Sequence, residues 1–282
     1  MERAMKKCFL IFTMIFMMTT FSFGQKVDDV LEEGKLLYRL EKASWYGTDV
    51  FLEMFSQNMD NVGGYLTYLN KNNKIINIFY EKDNPSNIIV RFEFDALPQK
   101  SPTKIDIHNQ AATTQEMELI VIRQDAIKII NQNEGGFFTF YNNTSFNIIP
   151  IIANGKKKVF ILTATAASDV VIIGNDYLLT YNNKNKLTKK EKIHNSLLQY
   201  PYKSEGSGNT TTSTFHSHVL SDLITSTDIC TLLLYKDFIE WKQHYVLSKK
   251  YMSIFDLEKE SLAVMTKKEW DKINENQKKN TN

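Results

Sequence analysis

Two histidines flanking a single residue, His216-Ser217-His218, are followed ten residues later by Asp228 at the head of an apolar run. On an extended backbone, residues two apart point to the same face, so both imidazoles can reach one ion. Two imidazoles and a carboxylate leave the fourth position of a tetrahedral ion to water, the arrangement of an open zinc site that activates water. The same residues also have a plainer reading: His216 and His218 close a strand and hydrogen-bond nearby backbone, while Asp228 caps a helix. His194 lies on the preceding strand-like segment and completes a three-histidine set if the strands pair as a meander.

The elements that must position these side chains are legible around them. Thr210–Phe215 is rich in β-branched residues after a Gly/Ser/Asn-rich stretch, Pro201–Thr210, and predicts a strand entered from a loop. Ile229–Phe238 carries the leucines and aromatics of a buried helix, with Ser226, Thr227 or Asp228 as its N-cap. Upstream, Val159–Thr163, Val170–Ile173, Tyr177–Tyr181 and Lys192–Tyr200 predict strands, with a polar hairpin turn at Asn182–Lys186 and a bulge or kink at Gly174-Asn175-Asp176. Downstream, His244–Leu247 and Tyr251–Leu257 predict a hairpin, Leu262–Met265 a short strand, and Thr266-x-x-Glu269 a capped helix to about Ile273.

The run His216-Ser217-His218, six residues, Thr225, Ser226-Thr227, Asp228 resembles the motif of the JAMM (MPN-domain) metallopeptidases, in which two histidines flanking one residue precede a serine and an aspartate. The resemblance covers about seventeen residues and, loosely, the order of elements from about 157 to 258. It implies zinc on His216, His218 and Asp228, Thr225 in the place of the family's serine, and hydrolysis of an amide or isopeptide bond. The spacing is one residue short of the family pattern, Val219 stands where it has proline, and no Glu occurs between Glu134 and Glu191 to serve as the general base. Asp169 and Asp176 are the carboxylates left for that role.

The N-terminus has the three-part layout of a secretory leader: Lys6-Lys7, an apolar run from Cys8 to Met18, and small residues up to Gly24. The run is too short for a spanning helix, which needs about 20 apolar residues. Cleavage near Gly24–Gln25 is expected, giving an exported protein of the periplasm or the extracellular space without a transmembrane anchor. Residues 1–24 hold three basic side chains (Arg3, Lys6, Lys7) and one acidic (Glu2) of the 34 Lys+Arg and 32 Asp+Glu, so the remainder is formally neutral. Nothing in that balance suits a nucleic acid or an anionic membrane surface. Cys230 is the one cysteine beyond residue 24, which rules out an intramolecular disulfide there and leaves stability to the core.

Between leader and site, Val27–Ser44 has helical apolar spacing, interrupted by Trp45-Tyr46-Gly47-Thr48-Asp49 before a short helix over Val50–Phe55. Trp45 and Tyr46 either pack on the core or line a ligand surface. Tyr65–Leu69, Ile75–Tyr80 and Ile88–Phe94 form an antiparallel meander, with Phe92 and Phe94 on one face. Thr113-x-x-Glu116 caps a helix over Met117–Ile130, with Glu116, Glu118 and Asp125 on its solvated side.

The fold class is therefore α+β: antiparallel sheets with a few flanking helices in two packed parts, 25–145 and 146–275, after a leader at 1–24 and before a frayed tail at 276–282. Runs such as Trp45-Tyr46-Gly47-Thr48-Asp49, Gly174-Asn175-Asp176-Tyr177 and Thr227-Asp228-Ile229-Cys230-Thr231 resemble uncharacterised exported proteins of Gram-negative bacteria. That implies an exported envelope protein and no particular activity. Two functions stand: a protein that binds a partner protein or small ligand through aromatic-rich sheets, and a zinc-dependent hydrolase. Nucleophile elbows, phosphate loops, Cys-x-x-Cys and dinucleotide fingerprints are absent from the sequence.

Overall fold

The structure, a computed structural model, describes residues 2–108, 110–202 and 211–281, with side chains from Phe23 to Lys279 in those ranges. The expected leader falls, up to residue 22, outside the described side chains, as does most of the loop expected at Pro201–Thr210. No helix among the described residues is long and apolar enough to cross a membrane.

Helix α1 (Glu2–Phe55) runs unbroken through Trp45–Asp49, where the sequence predicts an interruption. Gly47 explains the difference. A Cβ there would lie 2.2 Å from Asn77 Oδ1, so the glycine lets the helix press against the neighbouring sheet. Packing outweighs its poor helix propensity. Trp45 and Tyr46 are half-buried against the core, with the Lys42 ammonium 6.0 and 5.6 Å from their rings.

Strands β1 (Val62–Leu69), β2 (Ile75–Glu81) and β3 (Ile88–Phe94) form the expected meander, extended by a short β4 (Lys104–Asp106). Phe92 and Phe94 share the buried face. Helix α2 (Thr114–Gln132) starts at the expected Thr113–Glu116 capping box. Glu116, however, is fully buried and not solvated. It accepts Arg91 Nε at 2.7 Å, Arg91 Nη2 at 2.8 Å and the Tyr68 hydroxyl at 2.9 Å.

Next come β5 (Thr144–Ala153), β6 (Lys156–Thr165), β7 (Val170–Gly174), β8 (Tyr177–Tyr181), β9 (Leu187–Lys192) and β10 (Leu197–Pro201). They form a sheet in the order β5-β6-β8-β9 and a separate pair, β7-β10. The expected strand Lys192–Tyr200 is thus two strands in two sheets, with His194 in the turn between them. Strand β11 (Ser213–Ser217), helix α3 (Ser226–Tyr235), strands β12 (Gln243–Leu247), β13 (Tyr251–Asp256) and β14 (Ser261–Thr266), and helix α4 (Lys267–Thr281) complete the chain. β11 pairs parallel to β12 because α3 carries the chain across, whereas the other strand pairs are antiparallel. Helix α4 continues past the expected end near Ile273, through residues predicted as a frayed tail.

The architecture is α+β, as expected. One core cluster joins Ile78 and Tyr80 of the meander, Ile120 and Ile122 of α2, and Val159, Ile161 and Tyr177 of the later sheet, so residues before and after 145 share one interior. Helix α1 also fixes α3: a Cβ on Gly34 would meet the Ile229 side chain at 2.7 Å, so the two helices cross closely.

Candidate metal centre

Three separate segments meet at the site. Strand β11 alternates as a half-buried edge strand should: Thr214, His216 and His218 point inward, while Phe215 and Ser217 are exposed. Asp228 occupies the first turn of α3. Its N-cap is Thr225, one residue before the expected candidates, because Asp228 completes a reciprocal capping box with it. Asp228 Oδ2 accepts the Thr225 backbone N–H at 2.9 Å and the Thr225 hydroxyl at 2.7 Å. The third segment is the turn carrying His194. It is drawn in where the chain changes sheets at Gly174 (φ 101°) and Asn175 (φ 58°). Only glycine fits at 174, since a Cβ would meet the Ser196 carbonyl at 2.3 Å.

His194, His216, His218 and Asp228, the metal-ligand candidates from the sequence, converge. One donor atom from each lies within 4.8 Å of all the others, and all four residues are buried. His216 Nε2 is 2.8 Å from His218 Nε2. His194 Nε2 is 3.2 Å from Asp228 Oδ1, His218 Nε2 is 3.2 Å from Asp228 Oδ2, and His216 Nε2 is 3.8 Å from Asp228 Oδ1. Donors about 2 Å from a tetrahedral zinc ion lie roughly 3.3 Å apart, so these spacings bracket such an ion. The four residues could hold a metal ion.

The outer ring nitrogens set which way the inner lone pairs point. His218 Nδ1 lies 2.9 Å from the Leu223 carbonyl and 2.8 Å from Ser221 Oγ, whose own proton goes to that carbonyl at 2.6 Å, so both accept from Nδ1–H and Nε2 is left to face the site. His194 lies between two carboxylates, with Nδ1 3.2 Å from Asp176 and Nε2 3.2 Å from Asp228 Oδ1. Asp228 Oδ1 is buried without a hydrogen-bond partner. Acceptors thus converge on one point from several directions, which is costly unless a cation, a proton or a metal ion, sits among them.

The fields agree with that geometry. Burial opposes a charge on His194, but Asp228 and then Asp176 outweigh it and raise its pKa to about 10. Burial acts on the Asp228 carboxyl in the upward direction, yet the charged His194 ring beside it holds it well below its ordinary value. Burial, reinforced by the neighbouring imidazoles, lowers His216 to about 4. A neutral imidazole beside an ionised carboxylate is what metal ligation needs.

A small cavity of about 40 Å³ opens over His194, His216 and His218, bounded by Gly174, Asn195 and Ser196. It has room for a water molecule. No carboxylate lines it. Asp176 is engaged behind His194 and accepts the Thr163 backbone N–H at 2.9 Å; Asp169 lies in a turn at φ 62°. Neither stands over the cavity as a base. Thr225 is committed to Asp228, with its hydroxyl 3.4 Å from His194 Nε2.

One site residue escapes sequence reasoning. His244 is fully buried and faces the outer nitrogen of His216: Nε2 to Nδ1 is 2.8 Å, and its own Nδ1 is 2.7 Å from Thr214 Oγ1. The available signal was composition: four of the chain's five histidines meet here. Comparison of the chain with protein-family models, curated proteins and solved structures finds no match.

Proposed function

We propose that this is an exported envelope protein that binds zinc through His194, His216, His218 and Asp228, and that the centre holds the ion more than it turns over a substrate. One observation carries the reading: three inward ring nitrogens and a carboxylate oxygen converge within 4.8 Å in a buried setting. Four protein donors fill a tetrahedral shell, the mark of a closed site. Imidazoles with one carboxylate suit zinc among the common divalent ions. The leader-like N-terminus supports export, and with no second cysteine beyond residue 24, a metal is the cross-link left to that chain.

A second reading, JAMM-like hydrolysis of an amide or isopeptide bond, draws on the cavity over the three imidazoles, which has space for a water as a fifth ligand. No carboxylate in the lining of that cavity can serve as base, which counts against it.

Elemental analysis of the purified protein from Gln25 onward, beside a His216→Ala/His218→Ala double variant, tests the proposal. About one zinc per chain in the first and none in the second is expected. No metal in either after zinc reconstitution refutes the metal centre. If zinc binds, turnover of amide and isopeptide substrates that disappears in the double variant would favour the hydrolase.

A further inference from the structure

The outer nitrogen of His218 faces the Leu223 carbonyl and the Ser221 hydroxyl, whose own proton goes to that carbonyl, so its tautomer is fixed. His216 is different. Its Nδ1 faces His244 Nε2, and an imidazole nitrogen either donates or accepts. His244 faces Thr214 Oγ1 at its other nitrogen, and a hydroxyl has the same freedom. The chain Thr214–His244–His216 can therefore run in either direction without moving a heavy atom. The parallel pairing of β11 and β12 builds it, because Thr214 sits opposite His244 and His216 is the next inward residue of β11. The Tyr200 ring packs edge-on to His244 and helps to hold its plane.

We propose that His244 is a positioning residue and that the Thr214–His244–His216 chain reverses when metal enters; this rests on the zinc reading above. Without metal, the Thr214 hydroxyl donates to His244 Nδ1, His244 Nε2–H donates to His216 Nδ1, and His216 Nε2–H donates to the His218 Nε2 lone pair 2.8 Å away. That direction explains a contact between two imidazole nitrogens whose lone pairs would otherwise repel. With metal, His216 must offer its Nε2 lone pair. The proton on His244 Nε2 passes to His216 Nδ1, and the Thr214 hydroxyl proton passes to His244 Nδ1. The proton displaced from His216 Nε2 is matched by one regained at Thr214 Oγ1 through solvent, so the chain keeps its charge. Such outer partners orient ligating histidines and typically change metal affinity about 10–100-fold when removed.

The test is long-range proton–nitrogen correlation NMR on histidine-labelled protein, with zinc affinity measured by chelator competition in the same samples. His216 is expected as the Nε2–H tautomer in the metal-free protein and as Nδ1–H with zinc. His244→Leu should lose zinc affinity by about 10–100-fold. His244→Gln, which offers an amide oxygen to His216 and an amide N–H to Thr214, should recover most of it. If His244→Leu fails to fold, Thr214→Val breaks the other end and should still disturb the His216 tautomer. A metal-free wild type already holding Nδ1–H on His216 overturns the reversal. Full zinc affinity in His244→Leu, or none regained in His244→Gln, overturns the positioning role. A wild type that binds no zinc refutes the metal centre instead, and the metal-free tautomer still judges His244.

Discussion

In the absence of metal, the cation demanded by the converging acceptors is a proton on His194, and this makes the metal-free protein sensitive to alkali. The His194 pKa is about 10 in the folded chain against an ordinary 6.5, because Asp228 and Asp176 outweigh the burial that opposes its charge. A folded pKa raised above the unfolded one adds stability that is full below about pH 6.5 and is lost as pH rises through about 10. The whole difference corresponds to at most about 5 kcal/mol, most of which falls between pH 7 and pH 10. For a chain of this size that is a fall in Tm of about 10 °C. With zinc bound, His194 Nε2 faces the ion and has no proton to lose, so this loss should vanish. The assay is thermal unfolding of chelator-treated and zinc-loaded protein across that pH range. Tyrosines and lysines titrate in both samples and cancel in the difference between the two curves. Parallel curves, or a metal-free protein equally stable at pH 7 and pH 10, would refute the reasoning.

Two further predictions concern the core. Burial pushes the Glu41 carboxyl up to about 7 despite the Asn147 amide at 2.7 Å, so its contribution to stability falls as pH rises from 4.5 through about 7. Glu41→Gln keeps the acceptor for Asn147 and should remove a slope worth at most about 3 kcal/mol in urea unfolding between pH 5 and pH 8; an unchanged slope speaks against it. Arg91→Ala leaves Glu116 buried without its cation and should cost about 3–5 kcal/mol, much of it regained in Arg91→Ala/Glu116→Gln. A loss under about 1 kcal/mol would show that the pair is not desolvated as the geometry implies.

The part of the site that follows local periodicity was legible in the sequence. Strand alternation put His216 and His218 on one face, and the apolar run placed Asp228 at a helix start. What depended on long-range pairing was not. His194 reaches the site because β10 pairs with β7, Leu197 opposite Gly174, instead of prolonging β9. The sheet change that permits this is written in Gly174 and Asn175, but their partner Ser196 is not readable locally. His244 is invisible for the same reason, since a parallel pair formed across a helix sets its register with Thr214. Helix α1 passes its expected break because Gly47 answers to Asn77, thirty residues away. Glu116 looked like a solvated helix residue because its partners Arg91 and Tyr68 lie on other strands. The meander and the α2 cap, set by neighbours in sequence, came out as expected.

The mechanical context of the site explains why an ion would matter there. β11 is a five-residue edge strand with one ladder partner, in the parallel pairing that is weaker per residue, yet it carries one of the four donors, His216, and leads directly into a second, His218. Its free side is held by the Tyr200 hydroxyl donating to the Phe215 carbonyl at 2.8 Å. An ion on His194, His216, His218 and Asp228 would tie this strand to α3 and to the β9–β10 turn at once. Treated as a cross-link closing the segment from 194 to 228, it would stabilise the fold by roughly 4 kcal/mol through the unfolded chain alone. Cys230, buried and free, cannot supply such a bond. A closed four-donor site placed where the sheet is weakest therefore fits a metal that completes the fold better than one that waits for a substrate.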